Sequence, residues 1–211
     1  MNNILICFCK HPEPGMVKSR LAIALGEQCA ASIYETLLNQ TLSNITKNKQ
    51  KIDYKLYLYC YPNTEHPAFS KLALDYSLSL KQQSNGHLGD KMYNAMKEHL
   101  LSNNNVILIG TDCLEIDSSY IEKAFKALNT GNKMVFGPTN DGGYALIGAN
   151  ELNRSVFEGI DWSTDKVLEQ TITKLENLDW RFDCLPSVRD IDRLDDYQYF
   201  STHQKYKELF N

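Results

Sequence analysis

The run Val106-Ile107-Leu108-Ile109 is apolar at every position, as expected of a strand buried on both faces of a sheet. It ends in Gly110-Thr111-Asp112-Cys113-Leu114. Residues 4–9 predict a first strand, with Cys7 and Cys9 alternating with Ile6 and Phe8. Two prolines and a glycine in residues 10–16 forbid regular structure there. From Lys18 to about Thr46, apolar residues recur at helical spacing, with a break at Gly26. Residues 53–60 alternate tyrosine and aliphatic side chains and predict a second strand, stopped by Pro62. A short helix over 67–74, a short strand over 76–80 and a polar loop over 82–87 follow. Residues 88–101 have a helical stripe of Leu88, Met92, Ala95, Met96 and Leu100.

In the second half, Asp117 or Ser118 caps a helix reaching Leu128. Residues 133–136 and 144–148 are strands, joined through Gly137-Pro138 and the turn Thr139-Asn140-Asp141-Gly142-Gly143. Residues 157–164 form a loop, with Thr164 capping a helix through Leu175. A last strand over 180–185 and a closing helix over 194–210 complete the chain. The alternation predicts an α/β fold, a mostly parallel mixed sheet covered on both faces. Residues 133–148 break it with an antiparallel excursion. No linker, repeat or low-complexity tract divides residues 1–211, so one domain is expected.

Composition narrows the function classes. The formal net charge of −4 has both signs interspersed and no basic run, which argues against non-specific nucleic-acid binding. Six scattered cysteines lack the paired spacing of a zinc site and read as reduced thiols of a cytoplasmic protein. The amino end has no signal-peptide pattern, and no apolar run is long enough to span a bilayer.

Candidate chemistry lies in the connections. A carboxylate at the carboxyl end of a buried strand sits where open α/β sheets bind ligands, so Asp112 could hold a divalent cation against a phosphate. Asp112 as the cap of a turn or of the next helix is equally compatible with the sequence. Lys10, Lys18 and Arg20 surround the first loop, where amides near Gly15 and a helix start would favour an anion. An ordinary solvent loop would look the same. Neither the Walker A pattern nor the dinucleotide fingerprint is present.

Phe8-Cys9-Lys10-His11-Pro12-Glu13-Pro14-Gly15-Met16-Val17-Lys18-Ser19-Arg20-Leu21 resembles the opening signature of an uncharacterised bacterial family of glycosyltransferase-like proteins. The likeness continues in Leu88-Gly89-Asp90-Lys91-Met92, Gly110-Thr111-Asp112-Cys113, and the block from Gly137 through Asp141-Gly142-Gly143-Tyr144 to Gly148. It ends in the segment around Asp161-Trp162-Ser163-Thr164 and in Asp190-Ile191-Asp192. Two departures are Leu114, where the family usually has proline, and Ser19, where threonine is commoner. The resemblance implies a nucleotide-diphospho-sugar transferase (GT-A) fold, a Rossmann-like three-layer α/β/α sandwich with one cleft. It also implies nucleotide and phosphate binding by Lys10, Gly15, Lys18 and Arg20, and Mg²⁺ or Mn²⁺ on Asp112.

One carboxylate rarely suffices for a cation, which brings in Asp190 and Asp192 as further ligands. The same pair also reads as the start signal of the last helix. Asp141 is the candidate to accept a proton from an acceptor hydroxyl, although Asn-Asp-Gly-Gly is also a good hairpin turn. His87, Gly142, Gly143, Tyr144 and Trp162 are candidates for an acceptor pocket, with a core tryptophan as the competing reading. Gln83 follows the third strand, where a base or sugar would be read.

Three functions follow. The first is a metal-dependent glycosyltransferase using a nucleotide-diphospho-sugar and an unknown small-molecule acceptor. The second is a nucleotidyltransferase that releases pyrophosphate from a nucleoside triphosphate. The third is a non-catalytic nucleotide-binding protein.

Overall fold

A computed structural model of the protein describes residues 2–47, 53–100 and 104–210. The strands are β1 (Asn2–Lys10), β2 (Lys55–Tyr61), β3 (Ser79–Gln82), β4 (Asn104–Ile109), β5 (Met134–Pro138), β6 (Tyr144–Ala149) and β7 (Phe182–Cys184). They form one sheet in the order β3-β2-β1-β4-β6-β5-β7. All neighbouring strands are parallel except β6, which runs antiparallel to both β4 and β5. The excursion expected at 133–148 is therefore real, and its second strand is inserted between β4 and β5.

The helices are α1 (Ser19–Leu25), α2 (Glu27–Thr46), α3 (Pro67–Asp75), α4 (Leu88–His99), α5 (Ser118–Asn129), α6 (Val167–Asn177) and α7 (Leu194–Thr202). Alternate side chains of each central strand feed opposite faces of the sheet. Leu5, Cys7, Ile107 and Ile109 pack with Leu38 and Leu42 of α2, Phe69 of α3 and Phe125 of α5. Ile4, Ile6, Val106 and Leu108 pack with Met92 and Met96 of α4 and Leu175 of α6. Two buried faces explain the unbroken apolar run of β4. A third cluster joins Leu21, Ile33, Leu37, Leu114, Ile191, Phe200 and Tyr206. Leu114 is thus a core residue that ties the end of β4 to α2 and α7. Among the described residues, no helix is long and apolar enough to cross a membrane.

Several expected boundaries shift. The third strand lies at Ser79–Gln82, because Leu78 is still finishing the connection from α3 through its N–H to Ala73. The helix expected from Thr164 begins at Val167 with Lys166 as its cap. The Thr164 hydroxyl is already engaged, donating to the Asp161 carbonyl and accepting from Lys166 N–H. The last strand is three residues long, since it pairs only with β5 over that span. The closing helix stops at Thr202 and gives way to a separate 3-10 turn, Lys207–Leu209. Asp117, not Asp112, caps α5, accepting from Tyr120 N–H at 2.9 Å. The cap of α7 is Arg193 with Asp196, so Asp190 and Asp192 are not its start signal. The expected helix end at Leu101 lies outside the described residues.

Candidate active site

The chain adds β2 and β3 on one side of β1, then returns to place β4 on the other. This reversal opens a crevice at the carboxyl ends of β1 and β4, the place where open α/β sheets take ligands. The antiparallel β6 enters at the same edge, as do the ends of β5 and β7. A cleft of about 680 Å³ lies there. Its lining includes Lys10, Lys18, Arg20, Gln83, Asp112, Asp141, Gly143, Tyr144, Trp162, Asp190 and Asp192. Most of the residues singled out in sequence therefore meet in one place. Gly15, His87 and Gly142 are not in the lining: Gly15 lies beside Glu27, and His87 caps α4 without a side-chain bond.

Lys18 links three segments. Its side chain is 4% exposed, and its Nζ lies 2.9 Å from Asp112 Oδ1. The same ammonium donates to the Ile191 carbonyl at 2.5 Å. Ile191 N–H in turn donates to the Asp112 carbonyl at 3.0 Å. The first loop, the end of β4 and the Asp190–Asp192 segment are thus bound together through one ammonium. Lys18 itself is in the left-handed region, at φ 50° and ψ 44°, a costly conformation for a residue with a Cβ. Arg20 Nη1 lies 2.7 Å from Asp192 Oδ2. Tyr34 of α2 adds a further tie, accepting from Lys10 N–H at 2.8 Å and from Thr111 Oγ1 at 3.3 Å.

Asp190 is the carboxyl most affected by this crowding. Burial first, and then the negative charge of Asp141, push its pKa up to about 6, with a further push from Asp112 and a partial offset from Lys18. Asp141 is held by its own turn: Thr139 Oγ1 donates to its Oδ1 at 2.5 Å, and Gly143 N–H donates at 3.2 Å. The turn is pressed onto the start of α6. A Cβ on Gly142 (φ 88°) would lie 2.1 Å from the Asp165 carbonyl oxygen, so only glycine fits there. Trp162 lines the cleft and also packs against α4. A Cβ on Gly89 would meet its ring at 2.8 Å and the Phe157 carbonyl at 2.7 Å.

Gln83 is buried, and its Nε2 donates to the carbonyls of Cys9 and Tyr59, each at 2.9 Å. Two carbonyl partners fix the amide orientation, and Gln83 is part of the cleft lining. Sequence reasoning missed Tyr34 and Lys91. Tyr34 sits in the apolar stripe of α2 with nothing to distinguish it. Lys91 could have been found from α4 itself, where it lies beside Leu88 and Met92, both of which line the cleft.

The fit of this donor set to a divalent cation turns on Asp112. Among the described residues, no three His, Cys, Asp or Glu side chains are arranged as a ready metal site. Asp112 Oδ1 is buried and has no hydrogen bond, since the approach of Lys18 lies off hydrogen-bond geometry despite its short distance. A carboxylate oxygen that has an ion pair but no hydrogen bond, near the mutually repelling Asp190 and Asp141, fits a hard cation with few protein ligands. Such cations complete their shells with phosphate oxygens and water.

No curated protein matches the sequence at a significant level. Among solved structures, the chain is similar to a protein from Desulfovibrio desulfuricans G20 provisionally named a nucleotide-diphospho-sugar transferase. The identity is 25%, the TM-score 0.83, and the match covers 100% of this chain and 97% of the other. A cytidylyltransferase from Leptospira borgpetersenii matches at 15% identity and TM-score 0.56, over 99% and 92% of the two chains. Glucosyl-3-phosphoglycerate synthase from Mycobacterium tuberculosis, solved with Mn²⁺ and UDP, matches at 10% identity and TM-score 0.56, over 94% and 75%. These neighbours are transferases, and the fold is the one they share. The model of a bacterial family described as "Uncharacterized protein conserved in bacteria (DUF2064)" matches residues 44–164, more than half of the chain, and the protein belongs to that family.

Proposed function

We propose that the cleft is the active site of a metal-dependent glycosyltransferase-like enzyme using a nucleotide-diphospho-sugar. The observation that carries this reading is the meeting of Asp112, Asp141 and Asp190 with basic side chains at one sheet edge, beside the β1/β4 reversal. Asp112 and Asp190, with Asp192 nearby, would hold Mg²⁺ or Mn²⁺. The bound cation would neutralise charge on the departing diphosphate. Lys18 keeps Asp112 and the 190–192 segment in register, and Arg20 steadies Asp192. Lys10 and the first loop face the phosphates. Gln83 Oε1 offers an acceptor to an N–H of the base.

On the acceptor side, Gly143, Tyr144 and Trp162 line the wall beside Asp141. One Asp141 oxygen is engaged by the turn; the other is available for the proton of the acceptor hydroxyl. The acceptor oxygen then bonds to the anomeric carbon as the bond from that carbon to the diphosphate breaks. The same residues suit a nucleotidyltransferase, in which a substrate phosphate attacks the α-phosphorus of a nucleoside triphosphate.

Product analysis tests the proposal. The protein is incubated with Mn²⁺ and panels of nucleotide-sugars and nucleoside triphosphates, with candidate acceptors. Nucleoside diphosphate release from a nucleotide-sugar supports glycosyl transfer. Pyrophosphate release from a triphosphate moves the assignment to nucleotidyl transfer. Binding without turnover of either panel leaves the non-catalytic reading.

A further inference from the structure

Four cations line the cleft, and two are already neutralised: Lys18 by Asp112, and Arg20 by Asp192. The other two are Lys10 and Lys91, and neither forms an ion pair with a described residue. Lys91 stands in the first turn of α4, with its ammonium 4.0 Å from the centre of the Tyr61 ring. Its chain neighbour Asp90 does not compensate it, because that carboxylate pairs with Arg154 at 2.9 Å. Burial, and then the positive charge of Lys10, hold the Lys91 ammonium below the usual lysine range. Lys10 is the register partner of Tyr61, on whose ring the Lys91 ammonium sits, so the two lysines of the lining meet at the same residue.

We propose that Lys91 and Lys10 form an anion subsite that grips the phosphate chain of an oligophosphate ligand, apart from the carboxylates that would hold a cation. The role of Lys18 and Arg20 is then to brace the acidic side of the cleft. An anion with two or more charges relieves the Lys10–Lys91 repulsion, and the Tyr61 ring keeps the Lys91 stem in place while its ammonium turns to the ligand. The subsite deepens the nucleotide reading above and rests on it for the identity of the rest of the ligand. The phosphate grip itself needs no metal.

The test is calorimetric titration of inorganic pyrophosphate in EDTA into the wild-type protein, Lys91→Gln, Lys91→Arg and Lys126→Gln. Lys126 lies on α5, paired with Glu122 outside the cleft lining. Loss of the Lys91 charge is expected to weaken pyrophosphate about tenfold, while Lys91→Arg and Lys126→Gln stay near wild type. In protein labelled with ¹³C-lysine, pyrophosphate should move the Lys91 titration up in pH, a change that a merely structural lysine would not report. Equal affinity for wild type and Lys91→Gln, or no pyrophosphate binding by wild type, overturns the subsite. Pyrophosphate binding that depends on Lys91 without any binding of nucleotide-sugars sinks the glycosyltransferase reading and leaves the subsite standing. Metal-dependent nucleotide binding that ignores Lys91→Gln does the reverse.

Discussion

Replacing Asp190 with asparagine should stabilise the protein at neutral pH. The carboxyl has its pKa raised from 3.8 to about 6 by burial and by Asp141. The sign follows from proton binding. Between these two values the folded state holds a proton that the unfolded state has released, so stability falls as pH rises from about 4 to about 6. Above that window the wild type carries the full cost. A shift of this size corresponds to about 3 kcal/mol at most, from 1.36 kcal/mol per pKa unit. The side chain is partly open to the cleft, and screening reduces the expected cost to roughly 1–2 kcal/mol. The asparagine side chain keeps the shape of the carboxylate and carries no charge. Urea unfolding in EDTA should find Asp190→Asn more stable than wild type by roughly that amount at pH 8, with the gap closing toward pH 4. A variant that is no more stable at pH 8, or a gap that does not change with pH, would refute the crowding of carboxylates on which the site reading depends.

Lys18→Met removes the cation that holds Asp112, beside Asp190 and Asp141. Breaking a buried pair costs about 3–5 kcal/mol, and because the Asp112 side chain is 44% exposed the loss at pH 7 should be nearer about 2 kcal/mol. Urea denaturation at pH 7 reads it. Gly89→Ala drives a Cβ onto the Phe157 carbonyl and the Trp162 ring, and should destabilise by about 1–3 kcal/mol with Trp162 fluorescence altered in the native state. Leu114→Ala opens the cluster shared with Phe200 and Ile191, and should cost about 2–5 kcal/mol. Hydrogen exchange would locate the loosening in α7 and the 190–192 segment.

The central features of the fold were legible because they obey local rules. An apolar run open to both faces marked β4, the break at Gly26 separated α1 from α2, and Asn-Asp-Gly-Gly marked the hairpin between β5 and β6. What failed depends on contacts the sequence does not display. Thr164 has the composition of a cap, yet its hydroxyl is used within its own turn. The last helix keeps its apolar pattern past Thr202, but the chain turns there so that Tyr206 can pack its ring 5.2 Å from Phe200. The site was legible as a set of positions rather than as a set of pairings. Asp112, Asp141, Asp190 and Lys18 were each visible, whereas the Lys18–Asp112 pair joins segments far apart in sequence. Asp190 and Asp192 were visible as candidate cation ligands without the geometry that brings them to the cleft. They reach the same cleft from an irregular segment, held by Ile191 N–H on the Asp112 carbonyl. Lys91 stood within the Leu88–Met92 block and beside two apolar positions of α4, but was passed over because a lysine on an amphipathic helix looks like a solvent-facing charge until the opposite wall is known.

The central claim is that Asp112 holds a cation against a nucleotide diphosphate in this cleft. Calorimetric titration of UDP, GDP and their sugars, with Mn²⁺ and with EDTA, tests it in the wild type and in Asp112→Asn. The account predicts that at least one of these nucleotides binds more tightly with Mn²⁺, and that the gain is lost in the variant while its fold, by circular dichroism, is kept. The same metal-dependent gain in Asp112→Asn would contradict it.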